Sequence, residues 1–339
     1  MIVRMVFTAL ILVAGVSTTR AQEVTKVGTD AAPFLTIPVG ARGAAVGGAL
    51  VAMADDASAA YWNPGGLARV ERNALMVDHS PWLPGLSFNF FSLALPVGNG
   101  AVGLNITSLG TEEMDITTPD QPMGTGETYT AASMAVGLSY AQRLTESFSI
   151  GGTVKYINER ILNSSAVGVA FDIGTLYDTP FKGVRLGVSV ANYGSKMQMR
   201  GEDLNIRVDI APDQNGNNQS VVGQFKTDRF DLPLTMRVGL SWDALQQGGN
   251  RLTLAVDGVN PSHNAQSVNV GGEYAMFNET LVLRGGYTDL FLEDSEKGLT
   301  LGAGFQAKIQ GSIGFSVNYA YQDFEHLGGV DRISVLLSF

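Results

Sequence analysis

From about residue 74 to the C-terminus, stretches of about ten residues alternate apolar and polar side chains, and this period of two confines the chain to a large β-structure. Residues 234–243 read LTMRVGLSWD, with Leu234, Met236, Val238, Leu240 and Trp242 on one face and Thr235, Arg237, Gly239, Ser241 and Asp243 on the other. Residues 313–322 repeat the pattern, with Ile313, Phe315, Val317, Tyr319 and Tyr321 opposed to Gly314, Ser316, Asn318, Ala320 and Gln322. Strands of soluble sandwiches are shorter, near five or six residues. Repeats of this length suit strands that cross an outer membrane, apolar face to lipid and polar face to a lumen. Charges at alternate positions within them, such as Lys155, Arg237 and Arg284, favour a wet interior.

The segments number about fourteen, an even count as bacterial single-chain barrels require. They fall near 74–80, 86–97, 100–109, 129–143, 147–161, 164–178, 183–193, 231–243, 250–258, 266–276, 280–288, 297–307, 311–322 and 330–339. With a periplasmic N-terminus, every even-to-odd connection is a periplasmic turn, and these read VGNG, RLTES, TPFK, LQQGG, MFNE and KIQG. All the long connections fall in the other class, the longest running from Gly194 to Phe230. The final strand ends on Phe339, as outer-membrane barrels do. In the second segment the apolar positions change face near Phe90 and Phe91, where a bulge is expected to aim an aromatic ring inward.

Before the strands, residues 40–67 read GARGAAVGGALVAMADDASAAYWNPGGL. Its Gly, Ala and Val predict a thin helix that packs closely against other backbone, with Leu50 and Met53 as its larger residues. Asp55 and Asp56 are placed to cap a second turn over Ala57 to Trp62. Asn63-Pro64-Gly65-Gly66 then stops the helix, because Pro64 biases Asn63 away from helical angles. The reading is a helical plug inside the barrel.

Residues 1–21 have the form of a secretory signal, with Arg4, an apolar run from Met5 to Val16 and Thr19-Arg20-Ala21 as the cleavage site. Its removal leaves 20 basic against 32 acidic residues, a formal charge of −12. That acidity argues against nucleic acid, which needs basic patches. The chain has no cysteine, which excludes disulfides, thiolate metal sites, cysteine catalysis and a lipoprotein anchor. His79, His263 and His326 stand far apart, without metal spacing or a nucleophile motif, so neither a metal, a cofactor nor an enzyme is expected. The chain divides into a signal peptide (1–21), a plug or hatch (22–73) and a barrel (74–339).

The stretch ADDASAAYWNPGGL (54–67) resembles the hatch signature of the PorV/PorQ family, outer-membrane barrels related to the FadL channels for hydrophobic compounds. The similarity continues through HSPWL (79–83), MDITTPDQPMGTGETY (114–129), GLSYAQRLTESFSIGGTVKYINERI (137–161), AFDIGTLYDTPFKGVRLGVSVANYGSKM (170–197) and GEDL (201–204). The resemblance implies an all-β fold, a transmembrane antiparallel up-and-down FadL-like barrel of about fourteen strands with a small N-terminal helical plug. It also implies service to the type IX secretion system: receiving cargo with a C-terminal signal domain at the translocon and carrying it to the attachment machinery. Expected partners are therefore secreted cargo, other secretion-system proteins and outer-membrane lipid or lipopolysaccharide, in the bacterial outer membrane.

Two groups of candidate residues follow. In the plug, Asp55, Asp56, Trp62, Asn63 and Pro64 either anchor it to lumen arginines such as Arg237, Arg251 or Arg284, or move to open a route. In the extracellular loops, Trp82, Glu112, Glu113, Asp115, Met197, Glu202, Asp203 and Asp213 are candidate partner contacts. Asp213–Asn217 reads as a turn, since the bidentate Glu of a calcium loop is missing. A docking barrel and a FadL-like channel both remain open. The channel demands an apolar pocket beside the plug and a break in the wall; the Gly, Ser, Thr and charged lumen positions weigh against it.

Overall fold

The computed structural model describes residues 27–213, 216, 220–293, 295–309 and 313–339, and in it fourteen long strands run up and down in chain order. They are β1 (Ala74–Pro81), β2 (Leu86–Val97), β3 (Gly100–Thr111), β4 (Ala131–Arg143), β5 (Phe148–Ile161), β6 (Ser164–Asp178) and β7 (Val184–Gly194). The second half comprises β8 (Thr235–Gln247), β9 (Asn250–Pro261), β10 (Ser267–Met276), β11 (Leu281–Leu290), β12 (Lys297–Ile309), β13 (Ile313–Phe324) and β14 (Gly328–Ser338). Each pairs antiparallel with its neighbour, and β14 returns to β1 from Ala74↔Ser338 to His79↔Ile333, which closes the sheet. Closure satisfies the backbone groups that lipid could not.

The alternation sorts the side chains as expected. Leu138, Val154, Ile173, Leu254 and Leu301 face outward at 44–61% exposure, whereas Ser92, Thr153, Ser241 and Thr300 face inward and are buried. Every expected segment is a strand, with shifted ends. The eighth starts at Thr235 rather than 231, because Pro233 cannot donate to a ladder and Leu232 turns inward to 3% exposure. It also runs on to Gln247 through a register shift between Asp243 and Leu245, shrinking the expected LQQGG turn to Gly248-Gly249. No bulge occurs in β2, whose pairing with β1 and β3 is continuous. Phe88 and Phe90 reach the lumen through plain alternation, buried to 0% and 1%. The signal peptide and residues 311–312 lie outside the described residues.

The plug is less helical than its composition suggests. Among its described residues only Ala41–Ala45 (α1) and Ala59–Trp62 (α2) are α-helix, with 3-10 turns at Pro33–Thr36 and Pro64–Arg69. The expected helix through Met53 breaks because Gly47 and Gly48 adopt φ of +66° and +80°. Helix α2 begins at Ala59, not Ala57, since Asp56 Oδ1 accepts the Ser58 N–H at 2.8 Å and so turns the chain just ahead of it. Asn63 is extended before Pro64, at φ −160° and ψ 99°, and ends α2 as expected. Ala31 and Ala32 bond to Asp231 and Glu159 and Asp30 lies 3.0 Å from His263 at the long-loop end, and Arg69 pairs with Asp178 at the short-turn end. The described chain therefore enters at the extracellular side, although β1 starts at the periplasmic side as the turn parity requires.

Candidate functional site

A segment with nine α-helical residues in two pieces needs outside partners for most of its backbone, since buried C=O and N–H groups are costly unpaired. The wall supplies them. Hydroxyls of Ser92, Ser149, Thr288 and Thr300 donate to the carbonyls of Ala57, Gly65, Gly47 and Ala45 at 2.7–3.2 Å, from four different strands. The carboxylates of Asp78 and Asp257 accept the N–H groups of Gly40 (3.1 Å) and Val51 (3.0 Å), while Ser334 Oγ accepts that of Ala41 (3.1 Å). The small polar face seen in the sequence thus serves as the hydrogen-bond lining of a solid filling.

Glycine completes the fit. A methyl group on Gly187 would lie 2.5 Å from the Val51 carbonyl oxygen, and one on Gly271 or Gly286 would collide with the backbone at Val46. Plug backbone therefore rests directly on wall backbone, a contact only glycine permits. Leu50, Met53, Trp62 and Leu67 are 0–2% exposed between these contacts.

The plug's ionic anchor centres on Arg42, which the sequence reading missed. Its guanidinium meets Asp55 (2.5 Å) and Asp56 (3.1 Å) within the plug and Glu273 (3.1 Å) in the wall. Glu273, 1% exposed, also accepts from Arg284 (2.7 Å) and Arg251 (2.9 Å). Asp55 and Asp56 thus do not pair directly with Arg237, Arg251 or Arg284; Arg42 stands between, and Arg185 approaches Asp55 only to 3.9 Å. Arg237 instead lies over the Trp62 ring at 5.8 Å. Trp62 Nε1 donates to Val39 (3.0 Å), and Asn63 Nδ2 donates to Val51 and Thr175 (both 2.9 Å). Pro64 lies against Gly151 and Gly174. An inward acidic residue at Glu273 and a lone Arg42 in an apolar stretch were the available signals.

Among the described residues, a cavity toward each end of the barrel flanks the plug, and the two share no lining residue. The periplasmic one, about 620 Å³, is bounded by the Arg42 network with Arg69, Asp178, Arg185 and Asp243. The extracellular one, about 100 Å³, lies beside Tyr61, Trp62, Arg237 and Leu292. The wall's pairing does break between Phe171 and Ile173, where β7 bulges at Asn192 with φ +65°. That break is filled by polar side chains: Lys155 pairs with Asp172 at 2.9 Å and bonds to Asn192, which donates to Pro233.

The loop candidates divide. Glu112, Glu113, Asp115, Glu202 and Asp213 are exposed, and among the described residues no hydrogen bond or ion pair joins the first three to the last two. Asp203 is engaged locally, accepting from Asn163 and Ser164 at 2.8–3.1 Å. Trp82 is half-buried, packing edge-on against Phe324 at 5.3 Å beneath Arg332. Met197 is no surface contact: it is 1% exposed, bridged to Phe230 and packed over Gly168, because the long loop folds back onto the barrel mouth. That loop also contains a separate hairpin, Asn205–Val208 with Val221–Gln224.

Among solved structures, the chain is similar to the CymD monoaromatic hydrocarbon channel (14% identity, TM-score 0.55, covering 89% of this chain and 98% of that one). It is likewise similar to the Ralstonia pickettii toluene transporter TbuX (14%, 0.54, 88% and 97%) and the Pseudomonas putida toluene transporter TodX (12%, 0.54, 88% and 97%). At such identities the likeness shows a shared FadL-like fold alone. No curated protein matches the chain. The family profile described as "Type IX secretion system protein PorV" matches residues 19–260. With the profile matched over most of its length and the fold an outer-membrane barrel, the chain belongs to the PorV family of type IX secretion system proteins.

Proposed function

We propose that this barrel is a non-enzymatic docking protein that holds type IX secretion cargo, or the machinery that handles it, on its extracellular loops. The observation that carries this reading is the filled lumen: plug backbone rests on wall backbone, and the cavities flanking it toward the two ends share no lining residue among the described residues. Hydroxyls from four strands also hold the plug in place, which supports a sealed lumen. The exposed acids of the loops, Glu112, Glu113, Asp115 and Glu202, offer a negative rim, which steers partners and sets association rates.

The test is a pull-down of the full chain from gently solubilised outer membrane, with mass spectrometry of what co-purifies. Secreted proteins sharing a C-terminal β-domain are expected with the native protein. Their recovery should fall several-fold with Glu112→Lys, Glu113→Lys and Asp115→Lys combined. A lone barrel carrying only lipid overturns the reading. The second reading, a channel for small apolar compounds, is favoured by the cavity of about 100 Å³ beside Tyr61, Trp62 and Leu292 and by the fold of the neighbouring channels. A bound hydrocarbon released by Trp62→Ala would promote it.

A further inference from the structure

We infer that the outer face of β5 and β6, at the extracellular membrane boundary, is a binding site for a phosphorylated saccharide headgroup of an outer-leaflet lipid. The inference goes beyond the docking role and does not depend on it.

The outward side chains of β5 change character at one level. Val154 and Tyr156 are 49% and 48% exposed and belong to the lipid-facing belt, and the next two outward residues are Asn158 and Arg160. On β6 the same step runs from Val169 and Val167 to Ser165. Lipid headgroups begin where such a belt ends. At that level Arg160 pairs across the sheet with Ser165, and Ser165 pairs on its other side with Arg200, from a two-residue strand in the long loop. Directly opposed residues share a face about 5 Å apart, so the two arginines flank Ser165 with Cα atoms about 10 Å apart. Both guanidinium groups reach a common anion from that spacing.

Neither arginine has a carboxylate partner among the described residues: Arg160 donates to the Leu162 carbonyl (3.1 Å) and Arg200 to Gln198 (3.1 Å). Arg229 also turns to Gln198, at 3.4 Å, adding a third guanidinium. In a chain of formal charge −10 these surface arginines stand without acids, unlike the lumen arginines Arg42, Arg251, Arg284 and Arg332, which all have them. Beside Arg160 opens a groove of about 640 Å³ lined by Asn158, Ser165, Asn205 and Gln224, with Glu202 as its acid. Amides and a carboxylate there match sugar hydroxyls, which both donate and accept, and guanidinium groups match phosphate bidentately. The combination fits a phosphosugar better than a free anion, which would leave the amide groove unused.

The test uses the full chain in detergent micelles with two probes: lipopolysaccharide, and the same lipopolysaccharide with its phosphates removed. Expected are at least tenfold tighter binding of the phosphorylated form and a loss of at least tenfold on Arg160→Ala with Arg200→Ala. Arg207→Ala, on the separate hairpin, should change affinity less than twofold. Retention of the compact band on unheated gels verifies folding, and Arg160→Lys with Arg200→Lys should bind with intermediate strength. Equal binding of the two preparations, or an unaffected double alanine variant, overturns the inference. Complete displacement by millimolar inorganic phosphate also overturns it, by showing a site for the free anion.

Discussion

Adding one methyl group inside the barrel should loosen the plug, whereas the same methyl group one residue away should do nothing. Gly271 and Gly286 are paired across β10 and β11 and point inward, where Val46 backbone covers both. Their neighbours Gly272 and Gly285 are also paired but point outward, and a Cβ there would lie 3.4 Å and 3.7 Å from Leu254 and Leu301, ordinary contact. At the inner pair the obstacle is backbone on both sides, and neither strand can retreat because each is hydrogen-bonded to two neighbours. Overpacking of this kind costs about 1–3 kcal/mol. If the plug yields rather than the wall, its displaced population rises about 5- to 150-fold, at about 1.4 kcal/mol per factor of ten. The two inner sites share Val46, so their effects will not add. Ion conductance of the purified protein in planar bilayers, with trypsin cleavage after Arg42 as a second readout, compares Gly271→Ala and Gly286→Ala with Gly272→Ala and Gly285→Ala. Indistinguishable inner and outer variants would refute the claim that backbone contact seals the lumen.

Three further outcomes follow from the same geometry. Glu273→Gln should destabilise the plugged barrel by about 3–5 kcal/mol, because it strips a buried acid from three arginines, and more than Arg42→Met does; thermal unfolding on unheated-versus-heated gels compares them. Asn63→Ala should cost about 1–3 kcal/mol by leaving the carbonyls of Val51 and Thr175 without that donor, read as faster trypsin cleavage of the plug. At the surface, the hydrogen bond to Glu296 raises the His326 pKa, and that same bond lowers the Glu296 pKa. The tie between their loops is thus complete below the ordinary histidine value and lost as pH rises through the raised one; on the acid side it is lost as pH falls through the depressed Glu296 value. An NMR titration should place His326 above the ordinary value, and Glu296→Gln should bring it back.

Most of the fold was legible because lipid enforces the pattern. A strand crossing hydrocarbon must show apolar residues at every second position, so Leu234 to Trp242 and Ile313 to Tyr321 announced both their conformation and their outward face. Turn parity then counted the strands without any tertiary information. Strand ends were less legible where Pro233 and the shift after Asp243 altered the pairing, since bulges depend on the partner strand. The plug's breaks at Gly47 and Gly48 were hidden for a related reason: glycine allows helix or left-handed turn alike, and the close approach of Gly47 to the Tyr287 backbone of the wall is set only in the closed barrel.

The candidate residues show the same division. Asn63 and Trp62 were recognisable as plug anchors from the Asn-Pro stop and the large aromatic before it, but their partners Thr175 and Arg237 lie more than a hundred residues away. Met197 read as a loop contact because it follows a strand, and only its bridge to Phe230, at the far end of the same loop, buries it. Sequence by itself determined a fourteen-stranded outer-membrane barrel with something small-residue inside it, since alternation and turn length are local properties fixed by the membrane. Tertiary structure alone decided that Arg42 joins plug to wall, that inward glycines touch plug backbone and that Arg160 and Arg200 share an outer face. These depend on which strands the closed sheet makes neighbours and at what register, information spread over distances that no local pattern spans.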